Sequence, residues 1–558
     1  MNTIINPVLR GFNPDPSILR VGEDYYIATS TFEWYPGVQI HHSRDLVHWR
    51  VAARPLDRPS QLDLIGNPDS GGVWAPALSY ADGVFYLIYT DVKSRTGAFK
   101  DTPNYLATAS SVEGPWSDPV HLNSSGFDPS LFHDEDGRKW LLNMIWDFRK
   151  GRNPFGGIVI QEYSAPKNRL VGPAVRIFAG TELGYTEGPH LYKRGGYYYL
   201  LTAEGGTKYE HAATLARSKF LFGPYEVHPD NPILTSLGRP ELPLQKAGHA
   251  SLAETPAGEW YMAHLCARPA AGRFCTLGRE TALQRCRWDE DGWLRLERGD
   301  AGQGREREEG EEAGGSGASG PAVPRELVRA PDLPAYPFDP DPQRDDFDEP
   351  RLGVQWNTLR IPPSTDWLSL DERPGYLRLK GMESLSSKHR QSLIARRQQA
   401  FRCEAETEVE FEPAHFQQMA GLILYYDTED YVYLRITHLE GAGRVLGIIR
   451  TKRGEYDELL EAEIPLPDTG PIRLKAAVER VSVRFFYTDP ESDWKPVGQP
   501  VDILHLSDEC AVPLRFTGTF IGLCAQDLDG TRKAADFDYF EYRELQGETD
   551  ESSRSAMR

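Results

Sequence analysis

The chain has 558 residues, with 82 acidic and 62 basic side chains and a formal net charge of −20. Such a length exceeds what one hydrophobic core usually supports, so we expect more than one domain. The acidic balance argues against nucleic acids and anionic membrane surfaces as partners, because both are bound through basic patches. Aromatic residues make up 11% of the chain, beside 51 glycines and 42 prolines, a composition typical of strands joined by tight turns.

The N-terminus lacks the basic and apolar segments of a signal peptide, and no apolar run approaches the ~20 residues of a membrane span. We therefore expect a cytoplasmic protein without a membrane partner. Six cysteines are present and none forms a CxxC pair. This pattern predicts reduced, mostly buried thiols.

A short turn recurs five times in the first half of the chain. In its first copy, Asn13-Pro-Asp-Pro-Ser17, the carboxylate of Asp15 stands between two prolines that restrict the backbone. The later copies follow at intervals of roughly 50–60 residues, the period of propeller blades. Each copy precedes an aromatic β-type run and so predicts a β-hairpin. Five hairpins in order favour a five-bladed β-propeller over residues 1–300 rather than a sandwich with coincidental hairpins.

The second half has a different pattern. Residues 301–338 are rich in acidic residues, glycine and proline, which predicts a flexible linker. From 339 to 545 apolar and polar residues alternate at period 2, as expected of a β-sandwich. Residues 546–558 form a polar tail that we expect to be disordered. The predicted fold class is therefore all-β.

The propeller prediction places distant side chains together. The innermost strands of the blades surround one channel, so equivalent turn positions form a ring around it. The aligned turns carry Asp15, Asp128, Glu187 and His249. Three carboxylates can bind a metal through hard oxygens, or can divide acid and base roles in glycoside hydrolysis, where a neighbouring carboxylate raises the pKa of the acid.

Nearby side chains suit a sugar. Apolar faces for a pyranose ring are offered by Phe32, Trp74, Trp146 and Phe155, and directional hydrogen bonds by His249 and Arg279. Taken singly, each residue has a structural explanation, such as a turn aspartate, a packed tryptophan or an Arg279–Glu280 ion pair. Their shared register favours function for all of them together.

Five motifs carry a family resemblance: Asn13-Pro-Asp-Pro-Ser17, Trp74-Ala-Pro76, Phe127-Asp-Pro-Ser130, Thr186-Glu-Gly-Pro189 and Gly278-Arg-Glu-Thr281. Together they resemble glycoside hydrolase family 43, in its two-domain β-xylosidase branch. The resemblance spans nearly the whole chain and implies a propeller followed by a lectin-like, concanavalin-like sandwich. It implies an enzyme, an inverting exo-acting β-1,4-xylosidase that releases xylose from the non-reducing end of short xylo-oligosaccharides.

Two alternatives stay open at this point. One is an α-L-arabinofuranosidase or an enzyme with both activities, because xylopyranosides and arabinofuranosides can present similar hydroxyl groups to one pocket. The other is a non-catalytic carbohydrate-binding protein, which would bind sugar without turnover.

The resemblance also implies roles for individual residues. Asp15 corresponds to the general base, Glu187 to the general acid, and Asp128 to the carboxylate that tunes and orients the acid. Substrate-binding positions correspond to Phe32, Trp74, Trp146, Thr207, His249 and Arg279. An aromatic loop of the second domain closes the pocket in this branch, and we expect Phe520, in preference to Phe516, to reach the sugar.

No cofactor is expected to be required. The resemblance leaves a divalent cation such as Ca²⁺ as an alternative, with His249 as its candidate ligand in the channel. The acidic pairs Asp345–Asp346 and Asp527–Asp529 are expected to be solvated turn residues rather than Ca²⁺ ligands. The resemblance further implies a homo-oligomer, either a dimer or a tetramer.

Overall fold

The computed structural model of the protein describes residues 3–297, 322–489, 492–510 and 513–545. Within these ranges the chain is built from strands, and the helical segments are two 3-10 turns, Ala165–Lys167 and Asp508–Cys510. The all-β prediction is confirmed.

Five antiparallel sheets follow one another along the first half of the chain, and we number them blades 1 to 5. Blade 1 contains Ser17–Val21, Asp24–Thr29, Gln39–Ser43 and Arg50–Ala53, and blade 2 contains Gly72–Ala81, Val84–Val92, Asn104–Ala109 and Val120–Asn123. Blade 3 contains Ser130–His133, Lys139–Trp146, Phe155–Ser164 and Arg169–Phe178. Blade 4 contains Glu187–Arg194, Tyr197–Glu204, Ala212–Ser218, Glu226–Val227 and Leu234–Thr235, and blade 5 contains Gln245–Glu254, Trp260–Ala267, Glu280–Trp288 and Leu294–Leu296. The five-bladed prediction is confirmed.

The repeated turn sets the start of each blade. In blade 1, for example, the first strand pairs with the aromatic strand from Ser17 opposite Ala28 to Val21 opposite Asp24. Apolar side chains of neighbouring blades pack against each other, as Phe85 of blade 2 does edge-on with Tyr26 of blade 1, with ring centroids 5.8 Å apart. The first strand of every blade thus lies innermost, and its leading end is held in a fixed place.

Two antiparallel sheets form the sandwich of the second half. One contains Glu455–Glu458, Gly443–Lys452, Tyr431–Leu439, Gln418–Tyr425, Phe520–Asp527, Ser392–Arg397 and Asn357–Leu359, with Ile464–Pro465 paired at Gly443–Lys452. The other contains Leu368–Ser369, Leu377–Lys380, Ala534–Glu544, Arg402–Glu410, Ile472–Glu479, Ser482–Thr488 and Lys495–Asp502, with Arg344–Asp345 paired at Ala534–Glu544. A large apolar core that includes Trp356, Trp367, Leu422 and Phe537 fills the space between them.

The two halves of the chain share a sheet. Trp34–Tyr35, from a loop of blade 1, pairs with Asn357–Leu359 at the edge of the sandwich. The Trp34 ring stacks on Phe520, with 3.9 Å between ring centroids. A mixed core of propeller and sandwich residues surrounds this stack, so the sandwich is fixed against the propeller face on which the inner strands begin.

The predicted flexible linker is wrong for the part that the structure describes. Leu327–Arg329 forms a strand with Thr3–Ile5. Further along, the Tyr336 N–H donates to the Asp45 carboxylate at 2.8 Å, and the Arg44 guanidinium lies over the Tyr336 ring. Backbone pairing and these contacts hold residues 322–338 along the propeller. The linker residues up to 321 and the predicted tail 546–558 lie outside the described residues.

All six cysteines lie within the described residues, where they are buried and form no disulfide. Among the same residues, no helix has the length and apolar character needed to cross a bilayer.

Candidate active site

A cavity of about 510 Å³ opens where the inner strands of the blades begin. Ten residues singled out from the sequence line it: Asp15, Phe32, Trp74, Asp128, Trp146, Phe155, Glu187, Thr207, His249 and Arg279. They come from all five blades. The carboxylates and sugar-binding side chains predicted from the shared register therefore lie in one place.

The repeated turns share one backbone conformation at the positions beside the cavity. The residue before each turn proline, or before Ala250 in blade 5, has a left-handed backbone. These residues are Asp15, Ala75, Asp128, Gly188 and His249, with φ of 57°, 35°, 54°, 55° and 44°. Non-glycine residues rarely adopt this conformation, and such strain is concentrated at functional sites. In blade 4 glycine occupies the strained position, and the carboxylate of Glu187 stands one residue earlier, at a bulge in the strand.

Asp15 is held as a carboxylate. Its Oδ2 accepts a hydrogen bond from the Ser30 hydroxyl at 2.7 Å, and its Oδ1 accepts one from Arg279 Nη1 at 3.2 Å. Burial alone would raise the pKa of Asp15, but the Arg279 and His249 side chains and the Ser30 hydrogen bond lower it below its usual value. The ionised form is the one able to take a proton from water.

Glu187 is held as an acid. It is 9% exposed, and burial together with the charges of Asp128 and Asp15 raises its pKa well above the usual value. Among the described residues, no group donates a hydrogen bond to its carboxyl that would favour ionisation. Asp128 is also buried, and burial and the Asp15 charge raise its pKa to about 8. It accepts the Gly188 N–H at 3.1 Å, and this hydrogen bond stabilises its ionised form. Of the two carboxyls, Glu187 is therefore the one that retains the shared proton.

Two buried histidines lie on one side of the carboxylates. The Nδ1 of His249 is 3.7 Å from Asp15 Oδ1, and burial lowers the pKa of His249, which favours the neutral ring. A Cβ on Gly188 would lie 3.0 Å from this ring, so glycine lets His249 approach the blade 4 turn. His211 donates from Nδ1 to the Gly206 carbonyl at 2.7 Å, and its Nε2 has no partner within the described chain.

Arg279 joins the carboxylate site to the sandwich. Besides Asp15, it donates to the Thr207 hydroxyl at 3.1 Å and to the Phe516 carbonyl at 3.2 Å. A Cβ on Gly278 would lie 2.7 Å from the Thr517 carbonyl. Glycine before Arg279 therefore allows the sandwich loop to approach the cavity closely.

Aromatic rings form the cavity wall. Trp74 packs edge-on against Phe127 and Phe516, with centroids 5.5 and 5.6 Å apart. Trp146 packs edge-on against Phe155 at 5.6 Å. These rings offer apolar surface beside the carboxylates, an arrangement typical of small-molecule sites with a few directed polar groups.

The preference for Phe520 over Phe516 is wrong. Phe520 begins the strand Phe520–Asp527, is 0% exposed and stacks on Trp34 in the interdomain core. Phe516 precedes that strand, lines the cavity, and donates its N–H to the Ser70 hydroxyl oxygen at 2.9 Å. Strand pairing fixes Phe520 in the sheet, and only the loop before it is free to reach the sugar site.

Several lining residues escaped the sequence argument, among them Lys100, Phe127, Tyr185, Lys208, Glu210, His211 and Leu514. Lys100, Lys208, Glu210 and His211 lie in loops between the second and third strands of blades 2 and 4, which carry no part of the repeated turn. The Arg95 guanidinium donates to the Leu514 carbonyl at 2.8 Å; no sequence pattern signals such a contact between residues so far apart. The sequence signal for His211 is the polar and bulky run Lys208-Tyr-Glu-His211.

The structure places metal-capable groups elsewhere. Within the described residues, the cluster of three potential ligands is His415, Asp527 and Asp529 in the sandwich, and His249 belongs to no such cluster. Asp527 is already bonded by the Thr531 hydroxyl and the Lys533 N–H. Asp345 accepts a hydrogen bond from Trp356 Nε1 at 2.7 Å. These two carboxylates are therefore engaged by protein donors, and Asp527 is buried rather than solvated as expected.

A propeller channel with a buried base, a buried acid and aromatic walls defines a glycoside hydrolase. Comparison with known proteins gives the family. Residues 4–294 match the family model Glycosyl hydrolases family 43, and residues 344–543 match the Beta xylosidase C-terminal Concanavalin A-like domain. The chain belongs to glycoside hydrolase family 43.

Similar proteins cover the whole chain. It is 49% identical over 555 residues to "Beta-xylosidase" of Bacillus subtilis (strain 168), covering 97% of this chain and 99% of the relative. It is 48% identical over 561 residues to "Xylosidase/arabinosidase 43B" of Humicola insolens, covering 99% of each. The crystal structure of xylan beta-1,4-xylosidase from Bacillus halodurans C-125 superposes with a TM-score of 0.92 at 60% identity, covering 97% of this chain and 100% of the other.

Proposed function

We propose that the protein is an inverting, exo-acting β-1,4-xylosidase that releases xylose from the non-reducing end of short xylo-oligosaccharides. The observation that carries this proposal is one cavity lined by both Asp15, whose pKa is lowered, and Glu187, whose pKa is raised. Because Phe516 of the sandwich lines the cavity, a chain end fits it better than the middle of a polymer. The names of the similar proteins agree with a xylosidic substrate.

The proposed reaction is a single displacement. Asp15 takes a proton from water, and the water oxygen attacks the anomeric carbon from the face opposite the leaving group. Glu187 gives its proton to the glycosidic oxygen as that bond breaks. Asp128 keeps the acid protonated through its charge and its position beside Gly188. Arg279 and Thr207 hold sugar hydroxyls, and the reaction in this family requires no cofactor.

Substitution of the two carboxylates tests this mechanism. We expect Asp15→Asn and Glu187→Gln each to lower kcat on xylobiose at least about 10³-fold, because each removes one proton-transfer step. NMR of the wild-type product should reveal α-xylose first. Near-wild-type turnover by either variant, or β-xylose as the first product, contradicts the assignment. Circular dichroism and thermal unfolding check that both variants remain folded.

The second candidate is α-L-arabinofuranosidase activity in the same pocket. The similarity to "Xylosidase/arabinosidase 43B" of Humicola insolens, over 99% of this chain, favours testing it. The ratio of kcat/KM on 4-nitrophenyl β-xylopyranoside and α-L-arabinofuranoside separates a xylosidase from a bifunctional enzyme. A protein that binds both sugars and turns over neither would be a carbohydrate-binding module instead.

Three further features are proposed with this function. A cytoplasmic location is supported by six buried, unpaired cysteines and is tested by cell fractionation. A homodimer or homotetramer is supported by the motif resemblance to the two-domain branch and is tested by sedimentation equilibrium. Activity without a required metal is tested by chelation and by metal analysis of the purified protein, which also test the alternative of a divalent cation near His249.

A further inference from the structure

Two exposed phenylalanines meet next to residues that line the cavity. Phe99 is 71% exposed and Phe148 is 53% exposed, yet their ring centroids are only 4.9 Å apart. They belong to different blades and to none of the hydrophobic clusters of the described core. We call Phe99 and Phe148 the rim pair.

The loops that carry the rim pair are part of the cavity wall. Phe148 lies in the turn 147–154, and that turn joins Trp146 to Phe155, both of which line the cavity. Phe99 directly precedes Lys100, another lining residue, in the loop between the second and third strands of blade 2. The rim pair is therefore continuous with the cavity.

Contacts between the two loops hold them in register. Trp146 Nε1 donates to the Ala98 carbonyl at 2.8 Å, and Lys100 Nζ lies 4.4 Å from the Trp146 ring centroid. At the base of the first loop Ser94 and Asp101 form a bridge. In the second, the Asp147 N–H donates to the Pro154 carbonyl at 2.8 Å. The aromatic surface is thus positioned by the same contacts that shape the wall.

We propose that the rim pair binds the sugars on the leaving-group side of xylo-oligosaccharides longer than xylobiose. The inference rests on the proposed function, because a chain whose non-reducing end enters the cavity must leave through its mouth. Exposed apolar patches that continue a pocket are typical of ligand contacts. The apolar C–H faces of a xylose ring match the two phenyl rings, and this neutral contact needs no charged partner.

Chain-length dependence of the wild-type enzyme and of Phe99→Ala/Phe148→Ala tests the proposal. We expect the ratio of kcat/KM on xylotriose and xylotetraose to that on xylobiose to fall roughly 3- to 10-fold in the double variant, the equivalent of one lost aromatic contact. Phe99→Tyr/Phe148→Tyr keeps both rings and should keep the wild-type ratio. Phe220→Ala is the matched control, because Phe220 is 69% exposed and does not line the cavity.

The other outcomes overturn the proposal. An unchanged ratio removes the rim pair from substrate binding. An equal loss on all three substrates means that the rings only support the loops. A change in sedimentation of the double variant, with an unchanged ratio, means that a second copy of the chain covers the patch. Failure of the wild-type enzyme to hydrolyse xylobiose is a separate result, since it overturns the proposed function itself.

Discussion

At the residue scale, opposite pKa shifts of two carboxyls define the working pH range. The pKa of Asp15 is lowered and that of Glu187 is raised. Activity needs ionised Asp15 and protonated Glu187. It should therefore fall as the pH drops through the Asp15 pKa and fall again as the pH rises through the Glu187 pKa, which gives a bell-shaped profile of kcat/KM.

A residue beside each of the two carboxyls should shift the corresponding limb of this profile. Ser30→Ala removes the hydrogen bond to ionised Asp15, so the acid limb should move about one unit toward higher pH. Asp128→Asn removes the charge that raises the Glu187 pKa, so the basic limb should move about one unit toward lower pH. Profiles of kcat/KM from about pH 2 to 9 measure both shifts, because the lowered pKa of Asp15 places the wild-type acid limb below pH 4.

Ser236→Ala serves as the control for these profiles. Its hydroxyl is buried and donates to the Leu244 carbonyl, and Ser236 does not line the cavity. Both limbs should stay in place in this variant. If Ser30→Ala and Asp128→Asn shift the same limb, the division of acid and base between Glu187 and Asp15 is wrong.

At the element scale, the segment from Phe516 to Phe520 has two functions. Phe516 is partly exposed in the cavity, whereas Phe520 is buried at the start of a strand. Phe516→Ala should raise KM for xylobiose roughly tenfold, because it removes apolar surface from the sugar site. Phe520→Ala should instead lower the free energy of unfolding by about 3–5 kcal/mol.

Paired measurements separate the two effects. Phe516→Ala should keep a melting temperature close to that of the wild type, and Phe520→Ala should keep kcat/KM of the folded fraction within about twofold. If Phe520→Ala raised KM as Phe516→Ala does, the assignment of the cap to the loop would be contradicted.

The same segment shows which features could not be predicted from the sequence. The blades and the carboxylate cluster were predictable, because every blade repeats one turn and the blades share one axis. The identity of the cap was not, since it depends on the register of the strand Phe520–Asp527 against Ser392–Arg397. Likewise, Leu327–Arg329 reads as linker, and only its pairing with Thr3–Ile5 makes it a strand. Contacts between distant segments leave no periodic signal in either segment.

At the scale of the whole molecule, one loop of blade 1 connects cavity, interface and sandwich. Its consecutive side chains diverge, with Phe32 in the cavity wall and Trp34 in the shared core. Between them Glu33 accepts the Ser70 N–H with both carboxylate oxygens at 3.1 Å. Ser70 in turn accepts the Phe516 N–H, and its carbonyl accepts Trp74 Nε1 at 2.9 Å. Glu33 thus supports two side chains of the cavity from within the domain interface.

Charged groups from both halves of the chain face Glu33. Asp69 lies on the same propeller loop as Ser70 and is paired with Arg360 of the sandwich at 2.8 Å. Arg95 approaches from blade 2. Burial and the Asp69 charge raise the pKa of Glu33 to about 7, although Arg360 opposes the shift.

This raised pKa makes the stability of the interface depend on pH. Folded Glu33 binds its proton up to about pH 7, because its pKa is raised to about 7, whereas the unfolded chain releases it near the ordinary glutamate pKa of 4.5. The Glu33 contribution is therefore complete below pH 4.5 and is lost as the pH rises through 7, a change on the order of 3 kcal/mol. Because Glu33→Gln cannot ionise, its melting temperature should fall less than that of the wild type as the pH rises from 5 to 8. The control Glu23→Gln changes an exposed position of the same blade, so its melting temperature should depend on pH as that of the wild type does. If the melting temperature of Glu33→Gln showed the same pH dependence as the wild type, Glu33 would not titrate in the interface.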